Sequence, residues 1–211
     1  TYLSLLRRFA TTNADCAEGQ WIRVADGRIQ EMSAQPLVAP TARVIDVGGR
    51  TLMPGLIDAH VHAFASDVAV QKIDAMGEAY RAAHAVRMLT HALHCGFTTV
   101  RDVGGGNHSL WRALADGLFQ GPRYLYSGKI LSMTGGHGDM RQIEERPRYQ
   151  AACGCDGGPL FNTFAVIADG VDECIRATRD ELRQGAHCIK IMGSGGVASP
   201  SCAVSGPGGK A

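Results

Sequence analysis

The sequence predicts an α/β protein in which a small β module precedes a parallel sheet with helices. Two observations carry this prediction. Residues 1–55 contain short stretches in which apolar and polar side chains alternate, separated by turns that contain glycine. From residue 56 to 211, short apolar runs alternate with amphipathic stretches of helical length, which is typical of βα units. With 211 residues, 45% of them hydrophobic, the chain is long enough to bury a sizeable core.

The first region is expected to consist of short antiparallel strands. WIRVADGRIQEM alternates around Asp26-Gly27, a dipeptide that accepts the positive φ angles of a two-residue hairpin turn. ARVIDVGGRTLMPG repeats this design around Gly48-Gly49. We therefore expect a β-hairpin at each of these two turns.

The second region is expected to alternate strands and helices. Its predicted strands are GLIDAHVH (55–62), GFTTVRD (96–102), PRYLYSG (122–128) and HCIKIM (187–192). The first helix ends before Gly96, the second begins at about Ser109 as its N-cap, and the third ends at Gly185. The apolar stripes of the first and third helices are Met76, Tyr80, Ala83, Val86, Leu89 and Leu93, and Val171, Ile175, Thr178 and Leu182. Residues 140–165 show no period and are predicted to form a long loop.

The composition favours a protein that acts on small molecules. The net charge is +1 and no block of like charges occurs, so neither nucleic acid nor a membrane surface is expected as a partner. No apolar run approaches the roughly 20 residues that span a bilayer. The seven cysteines, an odd number spread over helices, strands and loops, favour a reduced, cytoplasmic protein. The chain begins at Thr1, which leaves an upstream segment open.

Two histidines lie at the end of the first predicted parallel strand. Residues two apart in a strand point to the same side, so Asp58, His60 and His62 share one face. If helices cover the other face, the two imidazoles lie at the C-terminal end of the strand and can bind a divalent metal. The alternative is that one histidine is an ordinary polar residue of the core.

Lys190 lies within the apolar part of CIKIMGSGG (188–196), and in a strand it would be on the same face as Cys188. A bare ammonium there is costly to desolvate, unless it reaches the end of the strand or pairs with a carboxylate. Burial also lowers the pKa of a lysine, and a neutral amine can take up carbon dioxide to become a carbamate. A carbamate can bridge two metals about 3.5 to 4 Å apart. His60, His62 and Lys190 are therefore predicted to form one metal-binding set.

Four motifs in order, LMPGLIDAHVHA, GFTTVRDVGG, GPRYLYSGKILSMTGGHGD and GAHCIKIMGSGG, resemble the amidohydrolase superfamily. The resemblance is to its imidazolonepropionase-related branch, which includes prolidase-like Xaa-Pro dipeptidases, and it runs from about Trp21 to Pro200. It implies a distorted (β/α)8 TIM-like barrel with a flanking β-sandwich. Residues 1–55 would then be part of the sandwich, and residues 56–211 the first four βα units of the barrel.

The same resemblance implies a site and a reaction. His60 and His62 would bind the more buried of two divalent metals, and carbamylated Lys190 would bridge them. We expect zinc, while manganese, iron and cobalt stay open because they suit the same donors. Hydroxide between the metals would hydrolyse the amide bond of a dipeptide or N-acyl amino acid. His137 in GGHGD would contact the substrate, whereas without the resemblance an ordinary loop histidine explains it equally well. Arg101 and Asp102 would either orient the site or form an internal ion pair. A homo-oligomer of the full-length protein stays open.

The resemblance covers only the N-terminal half of the family's barrel. Such a barrel takes about 200 to 250 residues, whereas residues 56–211 number 156. The family's further histidine ligands and its general-base aspartate belong to the fifth, sixth and eighth strands, which find no match here. We therefore expect a truncated or frame-shifted N-terminal fragment, inactive by itself. Two alternatives are a single-metal ring hydrolase or deaminase, which Lys190 opposes, and a scaffold without metals, which the histidine pair opposes.

Overall fold

A computed structural model of the chain describes residues 2–10, 16–38, 40–48, 50–67, 69–141 and 164–195. The chain divides into two compact units, Thr1–Gly55 and Leu56–Ala211. Most of the loop predicted at residues 140–165 lies outside the described residues. Among the helices that the structure describes, none is both long and apolar enough to cross a membrane.

The first unit is a β-sheet. Its strands are β1 (Tyr2–Ala10), β2 (Cys16–Ala25), β3 (Arg28–Ser33), β4 (Arg43–Asp46) and β5 (Thr51–Leu52). They are ordered β3-β2-β1-β4, and β5 also pairs with β1. β2 and β3 are antiparallel and meet at Asp26 and Gly27, whose φ angles of 53° and 69° suit a type I′ turn. The hairpin predicted at this dipeptide is confirmed.

The hairpin predicted at Gly48 is wrong. β4 and β5 both run parallel to β1 and pair with successive parts of it. The intervening backbone closes a local turn, in which Arg50 N donates to Val47 O at 3.1 Å and Gly48 N donates to Asp46 Oδ1 at 2.7 Å. The chain therefore resumes its direction after the turn, because pairing with the long β1 strand outweighs the local signal for reversal.

The second unit contains a parallel sheet with helices, which confirms the predicted α/β class. The parallel strands β6 (Leu56–Val61), β7 (Phe97–Asp102) and β8 (Arg123–Tyr126) are neighbours in that order. The helices are α1 (Val70–Asp74), α2 (Glu78–His94), α3 (His108–Ala115) and α4 (Gly170–Arg183). Two short parallel strands, β9 (Ile130–Ser132) and β10 (Ala165–Ile167), pair with each other and were not expected from the sequence.

The strand predicted at residues 187–192 is reduced to a single bridge between Ile191 and Leu131. Leu131 N donates to Lys190 O at 2.9 Å, so this part of the segment lies against β9. The beginning of the segment is hydrogen-bonded instead to the end of β8. A continuous ladder does not form because the partner changes from β8 to β9 within a few residues.

Two helical details also differ from the prediction. The N-cap of α3 is Asn107, whose side chain accepts from Leu110 N at 3.0 Å, and Ser109 lies inside the helix. The backbone of Asn107 is extended, which places its side-chain oxygen close to the N–H group of Leu110, three residues later. This N–H group has no acceptor within the helix, so the side chain of Asn107 caps it. α2 begins at Glu78, so Met76 precedes it.

The core of the second unit lies between the parallel sheet and helices α2 and α3. Its buried side chains include Ala85, Leu89, Val100, Leu110, Tyr124 and Tyr126. The apolar stripe predicted for α4 is not part of this core, since Val171, Ile175 and Leu182 are exposed. Among the described residues of α4, Glu181 is the buried one, so the helix turns a polar side chain inward.

Candidate metal centre

His60 and His62 lie together at the C-terminal end of β6. Their ring centroids are 5.4 Å apart and the rings are nearly perpendicular, at 76°. His60 is exposed and His62 is half-buried. The strand periodicity thus brings the two predicted imidazoles side by side at the edge where the parallel strands of the sheet end.

The ring of His62 is oriented by the loop that follows β7. Its Nδ1 atom lies 3.3 Å from the carbonyl oxygen of Gly104. A carbonyl only accepts, so Nδ1 carries a proton in this contact, and in the neutral ring the lone pair is on Nε2. A side chain at position 104 does not fit, because its Cβ atom would lie 3.1 Å from His62 Nδ1 and 2.5 Å from Ile130 Cδ1. Glycine therefore allows the carbonyl to approach the ring.

The pKa of His60 is held below its usual value. Partial desolvation of the ring is the largest cause. The positive charges of Lys190 and Arg101 and the electrostatic coupling to His62 add to it, and the carboxylate of Asp58 opposes them. The neutral imidazole, which is the form that binds metals, is therefore favoured at this position.

Lys190 is half-buried, and its positive charge is one cause of the lowered pKa of His60. Among the described residues, no three His, Cys, Asp or Glu side chains converge on one point. Two imidazoles and one lysine fit part of a divalent metal site, because such sites take nitrogen and oxygen donors from three or more side chains.

His137 lies in the loop after β9. The ring is half-buried, and its Nδ1 atom is buried with no hydrogen-bond partner among the described residues. Asp139 braces this loop by accepting from Gly135 N at 2.9 Å and from Arg141 Nε at 2.7 Å. The bond from Arg141 is the largest cause of the lowered pKa of Asp139. His137 is thus held in place with one ring nitrogen unused.

Asp102 has a role that the sequence left open. Its carboxylate accepts from Tyr124 Oη at 2.7 Å and from the backbone N–H groups of Ala63 and Gly104, each at 3.0 Å. Arg101 donates from Nε to the carbonyl of Ala59 at 2.9 Å. Among the described residues neither side chain forms an ion pair, so the alternative of an internal ion pair that fixes the strand to a loop is wrong.

Tyr124 is the site-related residue that sequence reasoning missed. A signal was present, since a buried tyrosine requires an acceptor for its hydroxyl group. Nothing in the local pattern named Asp102 as that acceptor, because the two residues lie on different strands. Burial, the charge of Asp102 and the hydrogen bond to it all raise the pKa of Tyr124.

The parallel sheet and the histidine pair agree with the comparison with known proteins. Residues 51–209 match the amidohydrolase family, and the chain belongs to that family. The membership that the four sequence motifs predict is confirmed.

Individual relatives sharpen this assignment. Ochratoxinase of Aspergillus niger is 37% identical over 163 residues, which are 70% of this chain and 32% of the relative. A crystal structure of an amidohydrolase is 40% identical, with a TM-score of 0.85, over 95% of this chain and 48% of that one. A prolidase complexed with N-methylphosphonate-L-proline is 37% identical, with a TM-score of 0.86, over 97% of this chain and 49% of that one. The chain thus spans about a third of the curated relative and about half of these solved structures.

Proposed function

We propose that this chain supplies the first metal-binding half of an amidohydrolase that cleaves an amide or peptide bond in a dipeptide or N-acyl amino acid, as a prolidase does. The observation that carries the proposal is the pair of imidazoles at the end of β6, and the charge of Lys190, which acts on His60, supports it. Family membership and the likeness to a prolidase structure support it.

The proposal also assigns the architecture. β6, β7, β8 and the segment at residues 187–192 are the first four strands of a (β/α)8 barrel, in chain order. The sheet of residues 1–55 is part of a β-sandwich. The order β6-β7-β8 and the hydrogen bond from His187 N to Tyr126 O at 2.8 Å, which joins the fourth segment to β8, support this arrangement.

Each residue of the centre has a distinct role. His62 donates Nδ1–H to Gly104 and keeps Nε2 for a metal, and neutral His60 supplies a second nitrogen. Lys190, once carbamylated, supplies two oxygens; its nitrogen forms a bond to the carbon of carbon dioxide and releases a proton. Two bound divalent metals, with zinc expected, would activate a water molecule near neutral pH and polarise the scissile carbonyl.

His137 is proposed to bind the substrate. Its buried Nδ1 atom lacks a partner among the described residues, which suits a group that completes its hydrogen bond only when a ligand arrives. The carbonyl or carboxylate of a dipeptide would accept from it. The Asp139–Arg141 brace keeps the loop in place for that contact.

Metal binding tests the first part of the proposal. Titration of the 211-residue chain with Co²⁺, followed by its visible absorption, should show a site that His60→Ala and His62→Ala weaken by at least tenfold. The matched control is His84→Ala, because His84 lies on α2, where its ring packs edge-on against Tyr80 with the centroids 4.7 Å apart. Equal Co²⁺ affinity in all three variants would contradict the proposal.

The bridging role of Lys190 needs a separate experiment. With ¹³C-bicarbonate, the metal-loaded chain should give a carbamate ¹³C signal that is absent in Lys190→Ala and present in Lys72→Ala, whose side chain is 70% exposed. One bound metal without a carbamate would favour the single-metal ring hydrolase or deaminase.

The chain alone is expected to leave an Ala-Pro dipeptide intact, because the family's remaining ligands and general base find no match in it. Hydrolysis by the isolated chain that Lys190→Ala abolishes would overturn this expectation.

A further inference from the structure

One buried carboxylate connects the two loops that flank the ring of His62. Asp102 has no exposed surface, and the hydroxyl of Tyr124, which is 2% exposed, donates to its Oδ2 atom at 2.7 Å. The same Oδ2 atom accepts from Ala63 N at 3.0 Å. Ala63 is the next residue after His62, so the carboxylate holds the peptide that leaves the histidine.

The other oxygen of the carboxylate holds the acceptor of the ring. Gly104 N donates to Asp102 Oδ1 at 3.0 Å, and the carbonyl oxygen of Gly104 lies 3.3 Å from His62 Nδ1. Asp102 thus holds both the backbone that follows His62 and the residue whose carbonyl accepts from the His62 ring. A shift of Asp102 would move both together.

We propose that Asp102 and Tyr124 are positioning residues that keep His62 in the tautomer with the proton on Nδ1, leaving Nε2 free to bind a metal. Only the metal-binding part of this inference rests on the proposed function. The tautomer itself is a property of the chain without metal. Neither residue touches a substrate in this scheme; both act through the orientation of His62.

The backbone of Gly106 packs closely against Asp102 and Tyr124. A Cβ atom at Gly106 would overlap Tyr124 Oη and would lie 3.0 Å from Asp102 Cγ. A close-packed carboxylate with three donors has its oxygens occupied in fixed directions. Asp102 therefore holds the backbone of Gly104 through a bond that does not involve the histidine.

The chain offers a matched pair of tyrosines for the test. Tyr124 and Tyr126 lie on β8, are 2% and 1% exposed, and stack with ring centroids 6.0 Å apart. The hydroxyl of Tyr126 donates to Gln184 O at 2.9 Å, away from Asp102. Tyr124→Phe and Tyr126→Phe each remove one buried hydroxyl, but only the first removes one of the three donors to Asp102.

The deciding measurement is ¹⁵N NMR of the histidine rings in the metal-free chain. His62 should be in the Nδ1–H tautomer in the wild type and in Tyr126→Phe, and should become a mixture of tautomers in Tyr124→Phe. The signals of His60 should stay the same in all three. The opposite tautomer in the wild type, or identical His62 signals in both variants, would overturn the inference.

A second variant tests the inference if Tyr124→Phe folds poorly. Asp102→Asn keeps the shape of the side chain but turns an NH₂ group towards one of the three donors, so it should shift the tautomer further. Thermal unfolding of each variant shows which proteins are folded.

Co²⁺ affinity separates this inference from the proposed function. The Kd should rise about 10- to 100-fold in Tyr124→Phe and stay unchanged in Tyr126→Phe, as is typical for groups that orient a ligand. If the wild type binds no Co²⁺ while the tautomer shifts as expected, the proposed function fails and the positioning role stands. If Co²⁺ binds and Tyr124→Phe alters neither affinity nor tautomer, the positioning role fails.

Discussion

Two buried carboxylates, Asp102 and Glu181, show how the number of donors determines what a carboxylate does in this fold. Their exposed fractions are 0% and 7%, and desolvation raises the pKa of both. Asp102 accepts three hydrogen bonds that join the loops of the candidate metal centre. Glu181, on α4, is stabilised by the backbone N–H and the charge of Lys129.

The two carboxylates also differ in how the backbone of nearby glycines packs against them. Gly104 and Gly106 bring backbone close to the Asp102 network from the loop after β7. Gly128 lies directly against Glu181, with a φ of +71°, and a Cβ atom there would overlap the carboxylate. The comparison indicates that Asp102 organises the site, whereas Glu181 fills space beneath the bend between β8 and β9.

The largest expected effect comes from removing the carboxylates. Asp102→Ala leaves three buried donors without an acceptor, and should lower the free energy of unfolding by about 3–5 kcal/mol. Glu181→Ala should lower it by about 1–2 kcal/mol, since fewer bonds are lost. Urea denaturation of both variants measures the difference. Equal losses of unfolding free energy in the two variants would show that the number of donors does not distinguish Asp102 from Glu181.

The next effect concerns the glycine against Glu181. Gly128→Ala should cost about 2–3 kcal/mol, because the new Cβ combines a positive φ with an overlap. Gly117→Ala is the control, since its φ is +73° but nothing lies within 4 Å of a Cβ atom there. It should cost about 1–2 kcal/mol from backbone strain alone.

A double variant tests the source of this cost. If the overlap with Glu181 is real, Gly128→Ala combined with Glu181→Ala should lose less stability than the two single variants added together. Strict additivity in urea denaturation would show that Glu181 does not fill the space at Gly128.

A smaller effect separates the two tyrosines. Tyr124→Phe should lower the free energy of unfolding by about 1.5–3 kcal/mol, because its hydroxyl donates to a carboxylate, which is a strong acceptor. Tyr126→Phe should lower it by about 0.5–1.5 kcal/mol, because its acceptor is a neutral carbonyl. A larger loss in Tyr126→Phe would show that the Asp102 network contributes little.

The smallest effect is the pH dependence of stability. Because the pKa of Glu181 is raised above its ordinary 4.5, the folded state holds this proton more tightly than the unfolded state does. The group's contribution to stability is therefore complete below pH 4.5 and is lost as the pH rises through the raised pKa. Glu181→Gln should flatten this decline in unfolding experiments at pH 4 to 8.

Asp139 provides the control of opposite sign. Its pKa lies below the ordinary 3.8, so its stabilising contribution is present above pH 3.8 and is lost as the pH falls through the lowered pKa. Asp139→Asn should leave the decline above pH 4.5 unchanged. If it removes that decline instead, Glu181 is not its source.

Much of the fold followed from local patterns. The hairpin at Asp26 and Gly27 was predictable because both residues accept positive φ angles. Three parallel strands and three helices followed from apolar spacing. The exposed stripe of α4 was not predictable in the same way, because periodicity identifies an apolar face but not whether another element covers it.

The sequence by itself determined the α/β class, the family, and the adjacency of His60 and His62, because residues two apart in a strand necessarily share a face. Only the tertiary structure decided that β4 and β5 follow β1 in parallel, and that Tyr124 donates to Asp102. Strand pairing and buried hydrogen bonds join residues that are distant along the chain. Their partners are selected by packing and by the need to satisfy buried polar groups, and no local pattern encodes that choice.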